Sequence, residues 1–328
     1  MPLRWGILGP GRIAPRIVRG VRASSRSHLE AVASRDLDRS RAFADRHAIP
    51  LAFGSYEALL DSPDVDVLYV ALPNHLHATW TVRALDAGKH VLCEKPLALS
   101  VEEVDAIAEA AARNGRIAVE AFMYLHHPQT REAVARARRG DLGSLQLVAA
   151  TFSFLLAYPG DPRVEPSMGG GSLWDVGCYP VSLARRIAGS EPATVQAIAR
   201  FDERGVDRTF IGQLRFADGL LAQFDSGFAA PDRERVEIVG SAGSLLLTAP
   251  FLPEPDGPPA SLALLRGRDA TPIEVPQADQ YALEVADLES AILDGAPPRV
   301  DLAFSRGTIA ALVELDAAAR RSSIAPVA

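Results

Sequence analysis

The sequence predicts an α/β protein in two parts. Residues 1–121 read as a doubly wound parallel sheet, and residues 122–328 as an α+β part built on a large, mostly antiparallel open sheet. Three observations predict this. Short apolar runs alternate with helical stretches through the first part, the pattern of parallel βαβ units. A G-x-G-x-x-A string, Gly9 to Ala14, joins the first apolar run to the first helical stretch. After about residue 121 the texture changes to long alternating runs separated by turn residues.

The elements follow in order. Residues 3–8 form a short buried strand and 12–22 a helix. A second strand is expected over 28–33 and a second helix over 37–47. The pattern continues with helix 55–61, strand 65–71, helix 76–87, strand 90–93, helix 100–114 and strand 116–119. Beyond it, helix 128–139 precedes strands over 145–156, 194–201, 207–216, 220–228 and 235–240. Asp218-Gly219 and Ala242-Gly243 supply hairpin turns. The proline-rich stretch from Pro250 to Pro259 reads as a surface loop, and helices near 280–294 and 303–320 close the chain.

Composition narrows the function. The chain has 328 residues, 48% hydrophobic and 23% charged, so it can bury a large core. Its net charge of −7 argues against a nucleic-acid partner, which calls for a basic face. No apolar run reaches the ~20 residues of a membrane helix. Cys93 and Cys178 are too few for a disulfide framework, and a reducing, cytoplasmic compartment is expected. The N-terminus runs straight into a strand, so no signal peptide is expected.

The string Gly9-Pro10-Gly11-Arg12-Ile13-Ala14 has the chemistry of a dinucleotide loop. The first glycine permits a tight turn, and the second lets the backbone approach a pyrophosphate on the helix N-terminus. Ala14 keeps the helix close to the sheet. The second strand ends in Ala33-Ser34-Arg35, where an NAD enzyme usually places an acid for the ribose 2′-OH. Ser34 can donate to a phosphate, and Arg35 can pair with a 2′-phosphate, so NADP is favoured over NAD. Asp36 follows at once and could serve as the ribose acid in a shifted register.

Glu94-Lys95-Pro96 lies at the end of a predicted strand, with Asp175 and Tyr179 about eighty residues later. The string Gly169-Gly170-Gly171-Ser172-Leu173-Trp174-Asp175-Val176-Gly177-Cys178-Tyr179 contains the last two. With the glycine loop, these motifs resemble the Gfo/Idh/MocA oxidoreductases over essentially the whole chain. The resemblance implies a Rossmann unit and an α/β part whose open sheet often forms the interface of a homodimer or tetramer. Many members carry histidine where this chain has Tyr179. The tyrosine form is similar to the branch of glucose-fructose oxidoreductase, dimeric dihydrodiol dehydrogenase and NADP-dependent D-xylose dehydrogenase.

In such an enzyme Lys95 can hydrogen-bond the substrate oxygen and stabilise developing charge there. Its alternative is a solvated strand-end lysine. The family's Lys-Pro bond is often cis. Tyr179 is the candidate general acid for reduction and base for oxidation; otherwise it is a core tyrosine packed by its ring. Asp175, four residues earlier, would share a helix face with it and orient the substrate hydroxyl, or would only cap a helix. Pro180 could start the regular helix rather than sit inside it.

Glu94 would hold the cofactor ribose or pair with Lys95. Leu72-Pro73-Asn74-His75 leaves a parallel strand on the ligand side, and the family likeness places Pro73, Asn74 and His75 near the nicotinamide ribose. Phe122, Met123 and Tyr124 would wall the substrate cleft, and Arg163 would fork onto substrate oxygens or remain a surface loop arginine. The pairs His75-x-His77 and His126-His127 lack a convincing third ligand, so no metal is expected. The reading is an NADP-linked oxidoreductase of sugars or polyols, with a trans-dihydrodiol as the alternative substrate. A cofactor-binding sensor without turnover is the alternative of another class.

Overall fold

The computed structural model describes residues 1–156, 160–258 and 260–322. The chain divides into two compact units, Met1–Met123 with Asp279–Arg306, and Tyr124–Ala278 with Gly307–Ala328.

The first unit holds a six-stranded, all-parallel sheet. Its elements are β1 (Leu3–Leu8), α1 (Ala14–Arg22), β2 (Ser27–Ala33), α2 (Leu37–Arg46), β3 (Leu51–Phe53), α3 (Tyr56–Leu60), β4 (Val67–Val70), α4 (Asn74–Asp86), β5 (His90–Glu94), α5 (Val101–Asn114) and β6 (Ala118–Ala121). The strand order is β3-β2-β1-β4-β5-β6. The order reverses between β1 and β4, which is where open α/β sheets hold their ligands, outside the strands' C-terminal ends. The central strands are apolar throughout because both faces are covered: Ile7, Val32, Leu68, Val91 and Leu92 are fully buried.

Local chemistry sets the helix ends. Ser55 and Ser100 cap α3 and α5 through their hydroxyl oxygens, and Gly115 ends α5 in the left-handed region at φ 59°. β3 is not apparent from the sequence because three half-buried residues carry no period. Helix α1 begins at Ala14, two residues later than expected, since the glycine loop extends to Ile13.

The last part of this unit comes from far along the chain. Helix 280–294, grouped by the sequence reading with residues 122–328, packs along α1. A Cβ on Gly20 would lie 2.9 Å from the Tyr281 carbonyl, so the glycine lets the two backbones meet. Trp5 Nε1 donates to Ser27 Oγ at 2.8 Å, and Ser27 donates to Glu289. Arg19–Asp279 and Arg26–Asp294 ion pairs flank this contact.

The second unit is built on α6 (Pro128–Arg139), β7 (Leu145–Leu155), α7 (Cys178–Ala188), β8 (Pro192–Phe201), β9 (Asp207–Phe216), β10 (Leu221–Gly227), β11 (Ala229–Gly240), β12 (Gly243–Thr248), β13 (Ser261–Arg266) and β14 (Asp269–Ile273). The eight strands run in the order β14-β13-β12-β11-β7-β10-β9-β8, antiparallel except for the β7–β10 pair. Alternation decides the faces. Phe152, Phe210, Leu214, Phe224, Val236 and Ile238 point inward and are buried, whereas Ile198, Ile211 and Leu221 are exposed.

The helix over 280–294 is α8 (Gln280–Asp294), and the chain closes with α9 (Leu302–Ser322). Both expected hairpins form, with Gly219 at φ 93° and Gly240 facing Gly243. Strands β12, β13 and β14 were not expected, because the proline-rich stretch masks the alternation around it. Residues 157–159 and Pro259, the latter in the proline-rich stretch Pro250–Pro259, lie outside the described residues.

Candidate active site

In the first unit the glycine loop follows β1, and the Leu72–His75 segment follows β4, the two strands that flank the reversal. Gly9 has φ 91°, and a Cβ there would lie 2.8 Å from the Ala71 carbonyl oxygen. The fold itself therefore requires this glycine. Gly11 is different. Its φ is not positive, and an added Cβ would meet only the Ala71 oxygen, at an ordinary 3.6 Å. The chain alone gives no reason for a glycine at 11; a group lying against the backbone there would. Helix α1 opens behind it with no side-chain cap and no acid in its first turn, and Ala14 is fully buried. Its first N–H groups suit a pyrophosphate. Arg12 is exposed, and Pro10 and Ile13 are partly covered.

Beyond β2, Ser34 is buried, and its Oγ accepts from the Asp36 N–H at 3.3 Å. Its hydroxyl proton stays available to a phosphate oxygen. Asp36 is committed elsewhere: Oδ1 accepts from the N–H groups of Asp38 and Arg39 at 2.9 and 3.2 Å and caps α2. The shifted-register ribose acid is thus used as a helix cap. Arg35 is exposed, and Arg39 reaches the Pro10 carbonyl oxygen at 3.4 Å. Arg39 adds a second guanidinium beside the loop. A basic residue in the first turn of a helix reads in a sequence as an ordinary solvated side chain, so this placement was not legible there.

The segment after β5 carries Lys95, and the Lys95–Pro96 peptide is cis. Three neighbouring elements hold this turn. Tyr69 on β4 donates its hydroxyl proton to Glu94 Oε1, and Glu94 Oε2 accepts from the Lys95 N–H at 3.2 Å. Glu120 on β6, fully buried, accepts from the Leu97 N–H at 2.9 Å. His77 on α4 has Nδ1 2.7 Å from the Pro96 carbonyl oxygen. Burial, with the Glu94 carboxylate beside it, raises the Tyr69 pKa well above the ordinary phenol range, so Tyr69 serves as a fixed donor. Glu94 is thus engaged by Tyr69 and by backbone. Glu120 and Tyr69 were missed by sequence reasoning; a glutamate inside the apolar strand Ala118–Ala121 was the available signal.

Further along, Leu72 is buried, Pro73 precedes α4 without a side-chain cap, and Asn74 and His75 form its first turn. His75 Nδ1 is buried and has no hydrogen-bond partner among the described residues. An orphaned ring nitrogen, an uncapped helix start and an unexplained Gly11 at neighbouring strand ends fit a dinucleotide. Phe122 and Met123, which follow β6, are buried.

In the second unit Asp175 lies on the wide π-turn Leu173–Gly177, and Tyr179 is the second residue of α7, which follows directly. Pro180 sits inside α7, not at its start. It has no N–H to return to the Val176 carbonyl, and the turn before it adopts the wider register. Tyr179 is buried among aromatic rings: Tyr124 at 5.4 Å, Phe152 at 5.3 Å and Phe251 at 5.5 Å between centroids. Tyr124 thus packs on Tyr179, and its hydroxyl donates to the Tyr179 carbonyl at 3.2 Å.

Arg163 forks onto Asp161 through Nε and Nη2, at 3.0 and 2.9 Å, and presents Nη1 3.9 Å from Asp175 Oδ2. The Gly171–Leu173 backbone is held by Asp207 at the start of β9. Oδ2 of Asp207 accepts from the Ser172 hydroxyl and the Leu173 N–H at 2.6 and 2.8 Å. Gly171 has φ 136°, and a Cβ on it would run into Asp207 Oδ1. Asp207 and Asp161 were also missed, since each lies far in sequence or in a loop without period.

The family model for the oxidoreductase family with an NAD-binding Rossmann fold matches residues 3–122, and that for the GFO/IDH/MocA C-terminal domain matches residues 130–246. The chain belongs to the Gfo/Idh/MocA oxidoreductase family. This oxidoreductase is 37% identical to a D-xylose 1-dehydrogenase (NADP(+)) of Haloferax volcanii, over 91% of this chain and 92% of that one. Its fold matches an aldose-aldose oxidoreductase from Caulobacter crescentus, solved with glycerol, at TM-score 0.91 and 29% identity, covering 98% and 99% of the two chains. A 3-ketoreductase from Actinomadura kijaniata, solved with NADP and TDP-benzene, matches at TM-score 0.91 and 32% identity, over 97% and 98%. The oxidoreductase is therefore an NAD(P)-dependent enzyme, and no helix among its described residues is long and apolar enough to cross a membrane.

Proposed function

We propose that this enzyme is an NADP-linked dehydrogenase or reductase of a sugar or polyol, of the aldose-dehydrogenase type. The observation that carries the cofactor is Gly11, a glycine that the polypeptide itself does not need, set before an uncapped helix. Ser34, Arg35 and Arg39 favour the 2′-phosphate, and the cap on α2 ties one carboxylate oxygen of Asp36 to the helix rather than to a 2′-OH. The NADP(+) xylose dehydrogenase and the ketoreductase solved with NADP support the same choice.

Gly9 to Ala14 hold the pyrophosphate, Ser34 and Arg35 the 2′-phosphate, and Leu72 to His75 with Glu94 the nicotinamide riboside. When bound, the nicotinamide supplies or accepts a hydride. The chain's own residues handle the oxygen. Lys95 donates a hydrogen bond to it and stabilises its developing charge, on a turn already fixed by Glu94, Glu120 and His77. Tyr179 gives the proton in reduction and takes it in oxidation. Asp175, with Arg163 beside it, orients the hydroxyl, and Phe122 and Met123 supply apolar lining. The exposed Ile198, Ile211 and Leu221 on the uncovered sheet face support self-association into a dimer or tetramer.

The test is a panel of aldoses, polyols and a trans-dihydrodiol assayed for NADP reduction, repeated with Lys95→Met. Turnover of a sugar that Lys95→Met abolishes, with NADPH still bound, is the expected result. A preference for the dihydrodiol would move the substrate class. NADPH binding without turnover of any compound would favour a sensor.

A further inference from the structure

Tyr124 holds Tyr179 at two points. Its ring packs on the Tyr179 ring at 5.4 Å between centroids, and its hydroxyl lies 3.2 Å from the Tyr179 carbonyl oxygen. The same hydroxyl lies 2.7 Å from Ser182 Oγ, and the Ser182 hydroxyl donates to the Tyr179 carbonyl at 2.9 Å. All three residues are buried. Two protons satisfy the three contacts. The Ser182 O–H points to the carbonyl, and the Tyr124 O–H points to Ser182 Oγ with the carbonyl as its longer, second acceptor. The carbonyl oxygen has two lone pairs and can take both.

Ser182 alone would be ordinary, because a helical serine often returns its hydroxyl to the turn before it. Tyr124 is not, since it comes from the 3₁₀ turn Met123–His126, 55 residues earlier. That turn is itself fixed. The His127 N–H donates to the Tyr124 carbonyl at 3.2 Å. Gln129, at the start of α6, donates through Nε2 to the Thr248 and Ser261 carbonyls at 2.8 and 2.7 Å. Phe251 meets the Tyr124 ring edge-on at 5.3 Å and stacks on Phe152 at 5.2 Å. Tyr179 needs such a support. It is the second residue of α7, which has no side-chain cap and follows a π-turn, and Pro180 next to it supplies no N–H to the ladder. The phenol oxygen lies at the far end of the side chain, so a small tilt of this turn becomes a larger displacement there. A displacement of ~1 Å can cost about a hundredfold in rate.

We propose that Tyr124 is a positioning residue for Tyr179, holding its backbone through the hydroxyl and its ring by packing, with Ser182 as the bridge. The proposal rests on the functional reading above, in which Tyr179 moves the proton. Tyr124 is fully buried, so it serves the site from behind Tyr179 and not as a wall of the substrate cleft.

Tyr124→Phe keeps the ring contacts and removes the hydroxyl. With a sugar from the panel, kcat is expected to fall about tenfold while the NADPH Kd, read by fluorescence titration, stays within about twofold. The deciding comparison repeats the substitution in a Tyr179→Phe background. With no phenol at 179 left to aim, Tyr124→Phe should then change kcat less than about twofold. A merely structural tyrosine lowers kcat by the same factor in both backgrounds, or leaves it unaltered in both and lowers only Tm. Either result would overturn the proposal. If Tyr124→Phe does not fold, Ser182→Ala cuts the bridge instead and is read by the same comparison. Its expected fall is about threefold, because the Tyr124 O–H still reaches the carbonyl, and it too should vanish in the Tyr179→Phe background. Full kcat in Tyr179→Phe alone, or a wild type that turns over no sugar, fails the functional reading and the proposal with it. An equal fall in both backgrounds fails the proposal alone.

Discussion

The Ser172 hydroxyl donates to Asp207 Oδ2 at 2.6 Å, and this bond ties the glycine-rich approach to Asp175 and Tyr179 down onto β9. Burial pushes the Asp207 carboxyl up from 3.8 to about 7, with the Asp316 carboxylate adding to the effect. The folded value is raised, so the contribution to stability is fully present below the unfolded value near 3.8 and is lost as pH rises through about 7. Between those limits this one group should lower the unfolding free energy by about 4 kcal/mol. Asp207→Asn keeps an acceptor for Ser172 and Leu173 and cannot ionise. Urea unfolding at pH 5 and pH 8 should show a smaller decline for the variant. The same decline in both proteins would exclude Asp207 as its source.

Gly9 and Gly11 should separate folding from binding. Gly9→Ala forces a positive φ and a 2.8 Å contact on a side chain, and should cost about 1–3 kcal/mol of stability. Gly11→Ala meets no such obstacle and should leave Tm nearly unchanged while weakening NADPH binding. Thermal melts beside cofactor titrations check both; a Gly11→Ala protein that binds NADPH normally would argue against a cofactor lying on that backbone.

Cofactor choice should respond to charge at the end of β2. Arg35→Ala is expected to weaken NADPH binding about ten- to a hundredfold, the worth of a charge-assisted bond, and to leave NADH binding within about threefold. Isothermal titration with both nucleotides measures this. Tighter binding of NADH than NADPH by the wild type would refute the assignment directly.

Tyr179 packs its ring among Tyr124, Phe152 and Phe251, so Tyr179→Phe preserves the packing and removes only the hydroxyl. Loss of a general acid should lower kcat by about 10²–10⁴ with NADPH affinity and Tm little changed. Unaltered kcat would leave Tyr179 as a core tyrosine.

Ile198 and Ile211 face each other across β8 and β9 and are exposed. Ile198→Glu with Ile211→Glu should shift sedimentation toward monomer if the uncovered sheet face is the assembly surface. An unchanged sedimentation coefficient would place self-association elsewhere.

The parallel sheet and its order of elements were legible because strands buried on both faces and amphipathic helices write periods into the sequence. So was Lys95 at the end of β5, and the glycine loop at the end of β1. Strands β12 to β14 were not, because prolines and short half-exposed runs carry little period. The place of α8 was not, because packing along α1 depends on Gly20, some 260 residues away from it in the chain.

By itself, the sequence determined the family and the doubly wound first sheet, and it singled out the candidate side chains, since these follow from local spacing and residue type. Tertiary structure alone decided which groups hold them. Glu120 on Leu97, His77 on Pro96 and Asp207 on Ser172 join residues 19 to 35 positions apart. Only packed strands bring such donors and acceptors within hydrogen-bond distance, and burial then obliges each polar group to find a partner.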